Sequence, residues 1–235
     1  MKIFFYENKW TRSPYMLLGK IKKFLKSKRL KKVAPIIVKK IYMVFENIGI
    51  EYFYDYGSLL GIIREEHFLY GDNDIDVGVI LKSQSDISKI YDSLKEHGFN
   101  YVCSFFYNEE IKEITFSYKG INVDFFIYDY DYNSQSMAHY YFSRQSEKKY
   151  ITWNTKDARR YTYSLQSDFI YKEVYGVFCK IMKNYEKALE ERYGNWCVPQ
   201  QSDNNYEDVR NVEIFEGAAR VDYSYKKLAK EVKSN

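Results

Sequence analysis

Residues 71–77 read Gly-Asp-Asn-Asp-Ile-Asp-Val, so three carboxylates lie within five positions. Asp74 and Asp76 alternate with the apolar Ile75 and Val77, which predicts a β-strand with both carboxylates on one face. Their backbones are then about 7 Å apart, and the two negative charges repel each other. A hard divalent cation relieves this repulsion, and Mg²⁺ is typically held by one or two carboxylates together with substrate phosphates. The segment therefore predicts a site for Mg²⁺ or Mn²⁺.

Two further acids extend this predicted centre. Asp72 lies in the turn before the strand, where it is either a solvated turn residue or a substrate-binding group. Asp124 is the one charge within the run NVDFF at residues 122–126, and burying it without a partner would be costly. If that strand neighbours the first, Asp124 completes a three-carboxylate centre, as a metal ligand or as a base for an acceptor hydroxyl. The competing interpretation is a structural carboxylate that caps a nearby turn.

Upstream, Gly57 and Ser58 stand between an aromatic strand predicted at 51–56 and a short predicted helix. Backbone N–H groups and a hydroxyl at such a helix start can approach a phosphate, whose charge the helix dipole favours. Arg64 follows about two turns later and has the bidentate donors that suit phosphate oxygens. The competing interpretation for Arg64 is an ion pair with an adjacent glutamate. Gly57, Ser58 and Arg64 are therefore predicted substrate-binding residues.

The order of these features, a Gly-Ser pair, a spacer, an Asp-apolar-Asp strand and a distant strand Asp, is the one expected of nucleotidyltransferase folds. The chain predicts a single α/β domain, of the α+β kind, in which helices flank a mixed β-sheet. Residues 129–168 show weak periodicity and predict an irregular segment that covers the substrate. The other predicted strands are 74–80, 101–107, 111–118 and 121–128, with a hairpin near 174–181. The predicted helices are 33–48, one that ends at Gly98, 184–193 closed by Gly194, and 223–232.

Composition excludes several classes of protein. Hydrophobic residues make up 46% and charged residues 29% of the 235 residues, which argues against a disordered or fibrous chain. Three cysteines without CxxC spacing suggest neither a disulfide framework nor a zinc site, which favours the reducing cytoplasm. We expect no cleavable signal peptide, and no apolar run approaches the roughly 18 residues that a membrane span needs.

The first part of the chain is strongly basic. Between Asn8 and Phe45 there are twelve Lys or Arg residues and no acid, although the net charge of the whole chain is only +4. Residues 17–32 have apolar residues at helical spacing among lysines, which predicts a basic amphipathic helix. Such a helix either lies on an anionic membrane, where each Lys adds about 1 kcal/mol, or is simply solvated. We therefore divide the chain into a basic segment, 1–32, and a catalytic domain, 33–235.

Several motifs resemble those of the LicD/fukutin family. The run YGSLLGIIR at 56–64 is similar to the family's YGTLLGxxR, and Phe68 with the acidic run 72–76 is similar to GFxPWDDDID. Residues 123–126 resemble the IDIFPLD strand, and LEERYGNWCVP at 189–199 resembles the closing YGxxWxxP element. The chain departs from this pattern at three positions of the loop before the carboxylates: His67 replaces Gly, Tyr70 replaces Pro, and Gly71 replaces Trp.

The resemblance implies transfer of a phosphorylated small alcohol, such as phosphocholine or an alditol phosphate, from a CDP-activated donor to a hydroxyl of a cell-surface glycan. It implies a CDP-linked donor and a glycan acceptor, which a lipid can carry. From the basic helix we expect peripheral contact with the inner face of an anionic membrane, and we expect no nucleic-acid partner. One alternative is a nucleotidyltransferase that transfers NMP to a sugar, a small molecule or a protein. The other is a basic module that binds membranes or nucleic acid without catalysis.

Overall fold

The computed structural model describes residues 9–143, 155–198 and 212–223. Four helices lie in these ranges: α1 (Lys9–Ile48), α2 (Tyr56–Arg64), α3 (Asp86–Glu96) and α4 (Tyr185–Tyr193). The strands are β1 (Glu51–Tyr54), β2 (Asp74–Ile80), β3 (Asn100–Tyr107), β4 (Glu110–Tyr118), β5 (Ile121–Ile127), β6 (Asp129–Asp131), β7 (Ser136–Ser143), β8 (Thr155–Ser164), β9 (Phe169–Val174), β10 (Val177–Met182) and β11 (Val212–Asp222).

Nine of the described strands form one mixed sheet, in the order β1-β2-β5-β4-β3-β11-β8-β7-β6. Strands β2 and β5 run parallel, and the other neighbours within the described sheet are antiparallel. Strands β9 and β10 form a separate antiparallel hairpin, as predicted near 174–181. A mixed sheet flanked by helices in one domain confirms the predicted fold class.

Helix α1 replaces the two helices predicted on either side of Lys32. Its buried side chains include Leu30, Ile37 and Ile41, which are spaced by seven and four residues and so share one helical face. This face packs against α3, β5 and β10. Because the apolar spacing stays in phase through residues 30–41, tertiary packing holds the helix together across Pro35, which would otherwise favour a break.

The prediction of an irregular segment over 129–168 was wrong. Strands β6, β7 and β8 occupy most of it, with residues 144–154 outside the described part. Met137, His139 and Phe142 are all buried, as are Ala138 and Tyr140 between them. A strand buried on both faces shows no alternation of apolar and polar residues, which is why the sequence pattern did not reveal β7.

The end of the chain agrees with the prediction where it is described. Helix α4 runs over Tyr185–Tyr193 and ends at Gly194 with a positive φ of 62°, as predicted. Of the helix predicted over 223–232, only Tyr223 lies within the described residues. Among the described helices, none combines the length and apolar character needed to cross a bilayer.

Candidate active site

The three predicted carboxylates meet on the parallel pair of strands. Asp76 on β2 is in register with Asp124 on β5, and Asp74 is in register with Asn122. Neighbouring strands lie about 4.8 Å apart, and side chains in register point to the same face. All three carboxylates are partly buried on this face, while the residues between them are fully buried on the other. The sheet therefore gathers Asp74, Asp76 and Asp124 at one place.

The electrostatics of this cluster centre on Asp76. Loss of water around the side chain, and then the negative charges of Asp74, Asp124 and Asp72, hold the pKa of Asp76 well above its usual range. Asp124 is oriented by Thr115 of β4, whose hydroxyl donates a hydrogen bond of 2.6 Å to one carboxylate oxygen. A group of like charges this close is stabilised by any cation that binds among them.

The donor chemistry fits a hard divalent cation only in part. Within the described residues, no three His, Cys, Asp or Glu side chains already form a ligand group for a metal ion. Mg²⁺ does not need one, because it is commonly held by one or two carboxylates while substrate phosphates and water complete its octahedron. Asp74 and Asp76 would supply these carboxylates, so the site suits a metal that arrives with its phosphorylated substrate.

The first turn of α2 is fixed directly onto this cluster. The Ser58 hydroxyl accepts a hydrogen bond of 2.9 Å from the Asp76 N–H, and the Asp55 N–H donates to the Asp76 carbonyl at 3.2 Å. A Cβ built at Gly57 would lie 3.1 Å from Oδ2 of Asp72, so the Asp72 carboxylate lies over this turn. Gly57, Ser58, Asp72 and Asp76 thus form one group of neighbours, and the helix begins at Tyr56 where a strand was predicted to end.

The second glycine of the YGSLLG motif has a packing role. A Cβ at Gly61 would lie 2.6 Å from the carbonyl oxygen of His67 and 2.7 Å from the Leu69 nitrogen. Both of these atoms belong to the backbone, so only glycine lets this loop pack directly on α2. The contact fixes the loop that leads towards the carboxylates.

Arg64 lies apart from the other predicted substrate-binding residues. It is the last residue of α2, about 9 Å along the helix axis from Ser58. Its Nε donates to Oε1 of Glu65 at 3.1 Å, which is the ion pair that the sequence offered as the competing interpretation. The side chain is partly exposed, and pairs of this kind contribute little to stability, so they are easily exchanged.

A buried ion pair behind the site was missed by the sequence analysis. Asp55 caps the N-terminus of α2, accepts a hydrogen bond of 2.8 Å from the Tyr56 N–H, and is fully buried. Arg192 of α4 contacts both of its oxygens, with Nε 2.7 Å from Oδ1 and an Nη donating at 2.9 Å to Oδ2. The Tyr128 hydroxyl also donates to Oδ2. Asp55 stands alone in an aromatic run, the same signal that identified Asp124, and it should have drawn attention to this position.

The buried network continues through His139, which the sequence left as an ordinary packed or surface residue. The Tyr56 hydroxyl pairs with Nε2 of His139 and lies 3.0 Å from the Tyr163 hydroxyl. Burial is the main reason why the pKa of His139 falls to about 4, and the charge of Arg192 adds to it. The imidazole is therefore neutral at physiological pH and belongs to the packing behind the site.

This pKa predicts how stability depends on pH. Unfolded His139 takes up a proton near pH 6.5, whereas the folded side chain stays neutral until about pH 4, so the unfolded state gains protons first. The contribution of His139 is full above pH 6.5 and is lost as pH falls towards 4, up to about 3 kcal/mol. Urea unfolding from pH 7 to pH 4.5 should show the stability gap between wild type and His139→Gln shrinking with acid. Parallel curves would exclude His139 as the source.

Comparison with known families agrees with this geometry. The model of the LicD/FKTN/FKRP nucleotidyltransferase domain matches residues 49–187. The matched range contains α2, the carboxylate strands and most of the buried network, while α1 and Arg192 lie outside it. No curated protein sequence matches the chain.

Proposed function

Because this chain belongs to the LicD/FKTN/FKRP family and is thereby a transferase of the phosphotransferase kind, we propose which group it moves. It transfers a phosphorylated small alcohol, such as phosphocholine or an alditol phosphate, from a CDP-activated donor to a hydroxyl of a cell-surface glycan. The observation that supports this most directly is the pairing of Asp76 with Asp124 on adjacent parallel strands, next to the first turn of α2. The carboxylates of β2 serve the donor phosphates, and the carboxylate of Asp124 on β5 serves the acceptor hydroxyl.

On the donor side, Asp74 and Asp76 would hold Mg²⁺ or Mn²⁺, and the bound cation would neutralise charge on the pyrophosphate. The N-terminal turn of α2, with Gly57 and Ser58, directs the positive end of the helix dipole to the same phosphates. Asp72 lies over this turn and limits the space in which the donor settles. Fixing the donor in line with its acceptor accounts for a large part of the rate.

On the acceptor side, Asp124 acts as the base. Its carboxylate accepts the proton of the glycan hydroxyl while that oxygen forms a bond to the phosphorus next to the alcohol. The bond from this phosphorus to the bridging oxygen breaks, and CMP leaves with that oxygen. The hydrogen bond from Thr115 keeps the Asp124 carboxylate in one orientation during the transfer. Arg64 can exchange its pair with Glu65 for a phosphate oxygen.

The released product tests this proposal. Incubation with CDP-choline or CDP-alditols, a glycan acceptor and Mn²⁺ should release CMP and add one phosphoryl-alcohol to the acceptor, seen by chromatography and mass spectrometry. The reaction should stop on chelation with EDTA and resume when Mn²⁺ is restored.

The alternative is nucleotidyl transfer, which the nucleotidyltransferase domain of the family keeps open. In that case nucleoside triphosphates would give pyrophosphate and a product heavier by one NMP. Pyrophosphate release, combined with no CMP from any CDP-alcohol, would replace the proposed reaction with this one.

A further inference from the structure

The outward face of helix α1 is apolar where a solvated face would be polar. Among the side chains of α1 that the structure describes, the exposed apolar ones fall within an arc of about 120° when the helix is viewed along its axis at 3.6 residues per turn. This arc lies opposite the buried face that contains Leu30, Ile37 and Ile41. We call these residues the apolar stripe: Ile21, Phe24, Leu25, Ile36 and Met43, with exposed fractions of 45%, 47%, 58%, 40% and 46%.

Lysines run along the same stripe. Lys28, Lys32 and Lys39 are exposed and fall within the same arc. The Lys28 ammonium lies 4.5 Å from the centre of the Phe24 ring, so charge and apolar surface are in direct contact. No acid occurs between Asn8 and Phe45 to balance these charges. A face that is both apolar and cationic is complementary to anionic lipid headgroups over acyl chains.

The apolar surface continues from the helix onto the hairpin β9–β10. A groove of about 700 Å³ separates them, with Ile36 and Met43 on one side and Tyr175 and Phe178 on the other. Phe178 is 51% exposed, and its ring packs against Tyr42 of α1 at 6.4 Å between centroids. The helix and the hairpin thus present one surface, broader than a single helix.

The loop before the carboxylates rests on the flank of this helix. The Gly71 N–H donates a hydrogen bond of 3.1 Å to the Ser27 hydroxyl. The Lys31 ammonium lies 5.0 Å from the centre of the Tyr70 ring, and Tyr70 is 68% exposed. Tyr70 and Gly71 are two of the positions at which the chain departs from the family pattern. The departures therefore lie where the loop meets a helix that is outside the matched domain.

We propose that the apolar stripe and Phe178 form a docking surface for an anionic membrane. Docking brings the loop at Tyr70 and Gly71, and with it the entrance to the carboxylates, close to the bilayer. A lipid-linked acceptor would then reach the site without leaving the membrane, and this second part rests on the proposed function. The surface is distinct from the carboxylate cluster, so binding and transfer can be measured separately.

Vesicle sedimentation tests the docking surface. Wild type should bind vesicles of phosphatidylcholine with 30% phosphatidylglycerol, bind pure phosphatidylcholine poorly, and dissociate in high salt, which screens the lysines. Leu25→Glu should weaken binding at least tenfold, and so should Lys28→Gln combined with Lys32→Gln. Matched controls outside the surface, Ile214→Glu and Lys187→Gln, should bind like wild type. Equal binding by wild type and the stripe variants would overturn the proposal.

Two further measurements separate the possible explanations. If the stripe instead covers a second copy of the chain, light scattering will show a dimer that Leu25→Glu converts to a monomer, with no vesicle binding by either protein. Asp76→Asn should bind vesicles normally but transfer nothing. Leu25→Glu should keep the wild-type turnover on a water-soluble acceptor. On an acceptor embedded in vesicles, its turnover should fall about tenfold, as its vesicle binding does. Loss on both acceptors would contradict docking, whereas absence of turnover in wild type would contradict only the proposed reaction.

Discussion

Asp76→Asn is expected to abolish transfer while the protein stays folded. The change removes one charge from the carboxylate cluster without altering side-chain volume, and the cation would lose its central ligand. Burial, and then the charges of the neighbouring acids, already disfavour the ionised Asp76 carboxylate and hold its pKa high. A neutral amide avoids this cost, so the melting temperature should be unchanged or higher. Activity should fall by about a hundredfold to a thousandfold, or below detection. The same loss is expected for Asp74→Asn.

Calorimetric titration with Mn²⁺ and a thermal melt check this prediction together. Wild type should bind Mn²⁺, most tightly when a CDP-alcohol is present, and both variants should bind it weakly or not at all. Asp92→Asn, an exposed acid on α3, is the matched control and should behave like wild type. If both site variants bind Mn²⁺ as wild type does, the metal assignment is wrong whatever happens to the activity.

Arg192→Met is expected to destabilise the folded protein by about 3–5 kcal/mol, because it leaves the Asp55 carboxylate buried without its cation. Both side chains are almost completely inaccessible, so water cannot replace the guanidinium. The free energy of unfolding in urea measures this loss. Arg160→Met is the control, since its pair with Glu213 is exposed and should contribute less than about 1 kcal/mol.

A second substitution separates loss of the ion pair from loss of packing. Asp55→Asn in the Arg192→Met background removes the stranded charge, so the double variant should recover part of the stability. If the double variant recovers no stability, the loss in Arg192→Met comes mainly from the packing of Arg192 over the rings of Tyr56 and Tyr163.

Local patterns predicted the parts of the site that lie within a few residues of each other. Asp74 and Asp76 could be recognised because a strand has a period of two, and Asp124 because a charge interrupted an apolar run. The pairing of β2 with β5 was an assumption that only the three-dimensional arrangement could establish. Helix α4 was predicted correctly because Gly194 marks its end. The hairpin predicted near 174–181 is present, but its first strand begins earlier, at Phe169.

What the sequence did not reveal depends on long-range contacts. Asp55 and Arg192 are 137 positions apart, and neither position alone indicates the other. Helix α1 is continuous because its buried face packs on elements far along the chain. The helix propensity of the residues around Pro35 does not predict this packing. Strand β7 has no alternation because it is covered on both faces, so the pattern used to find strands was absent.

The parallel pairing of β2 and β5 also determines when the carboxylate cluster can form. Asp124 follows Asp76 by 48 positions, and α3, β3 and β4 lie between them. During synthesis, a chain that has reached the end of β2 already carries the YGSLLG motif and both carboxylates of β2, yet β5 has not been made. At about 5–20 residues per second, several seconds pass before β5 emerges. A truncated chain ending before Asp124 would keep the family's most recognisable residues and still lack Asp124, the base that we propose for the acceptor hydroxyl.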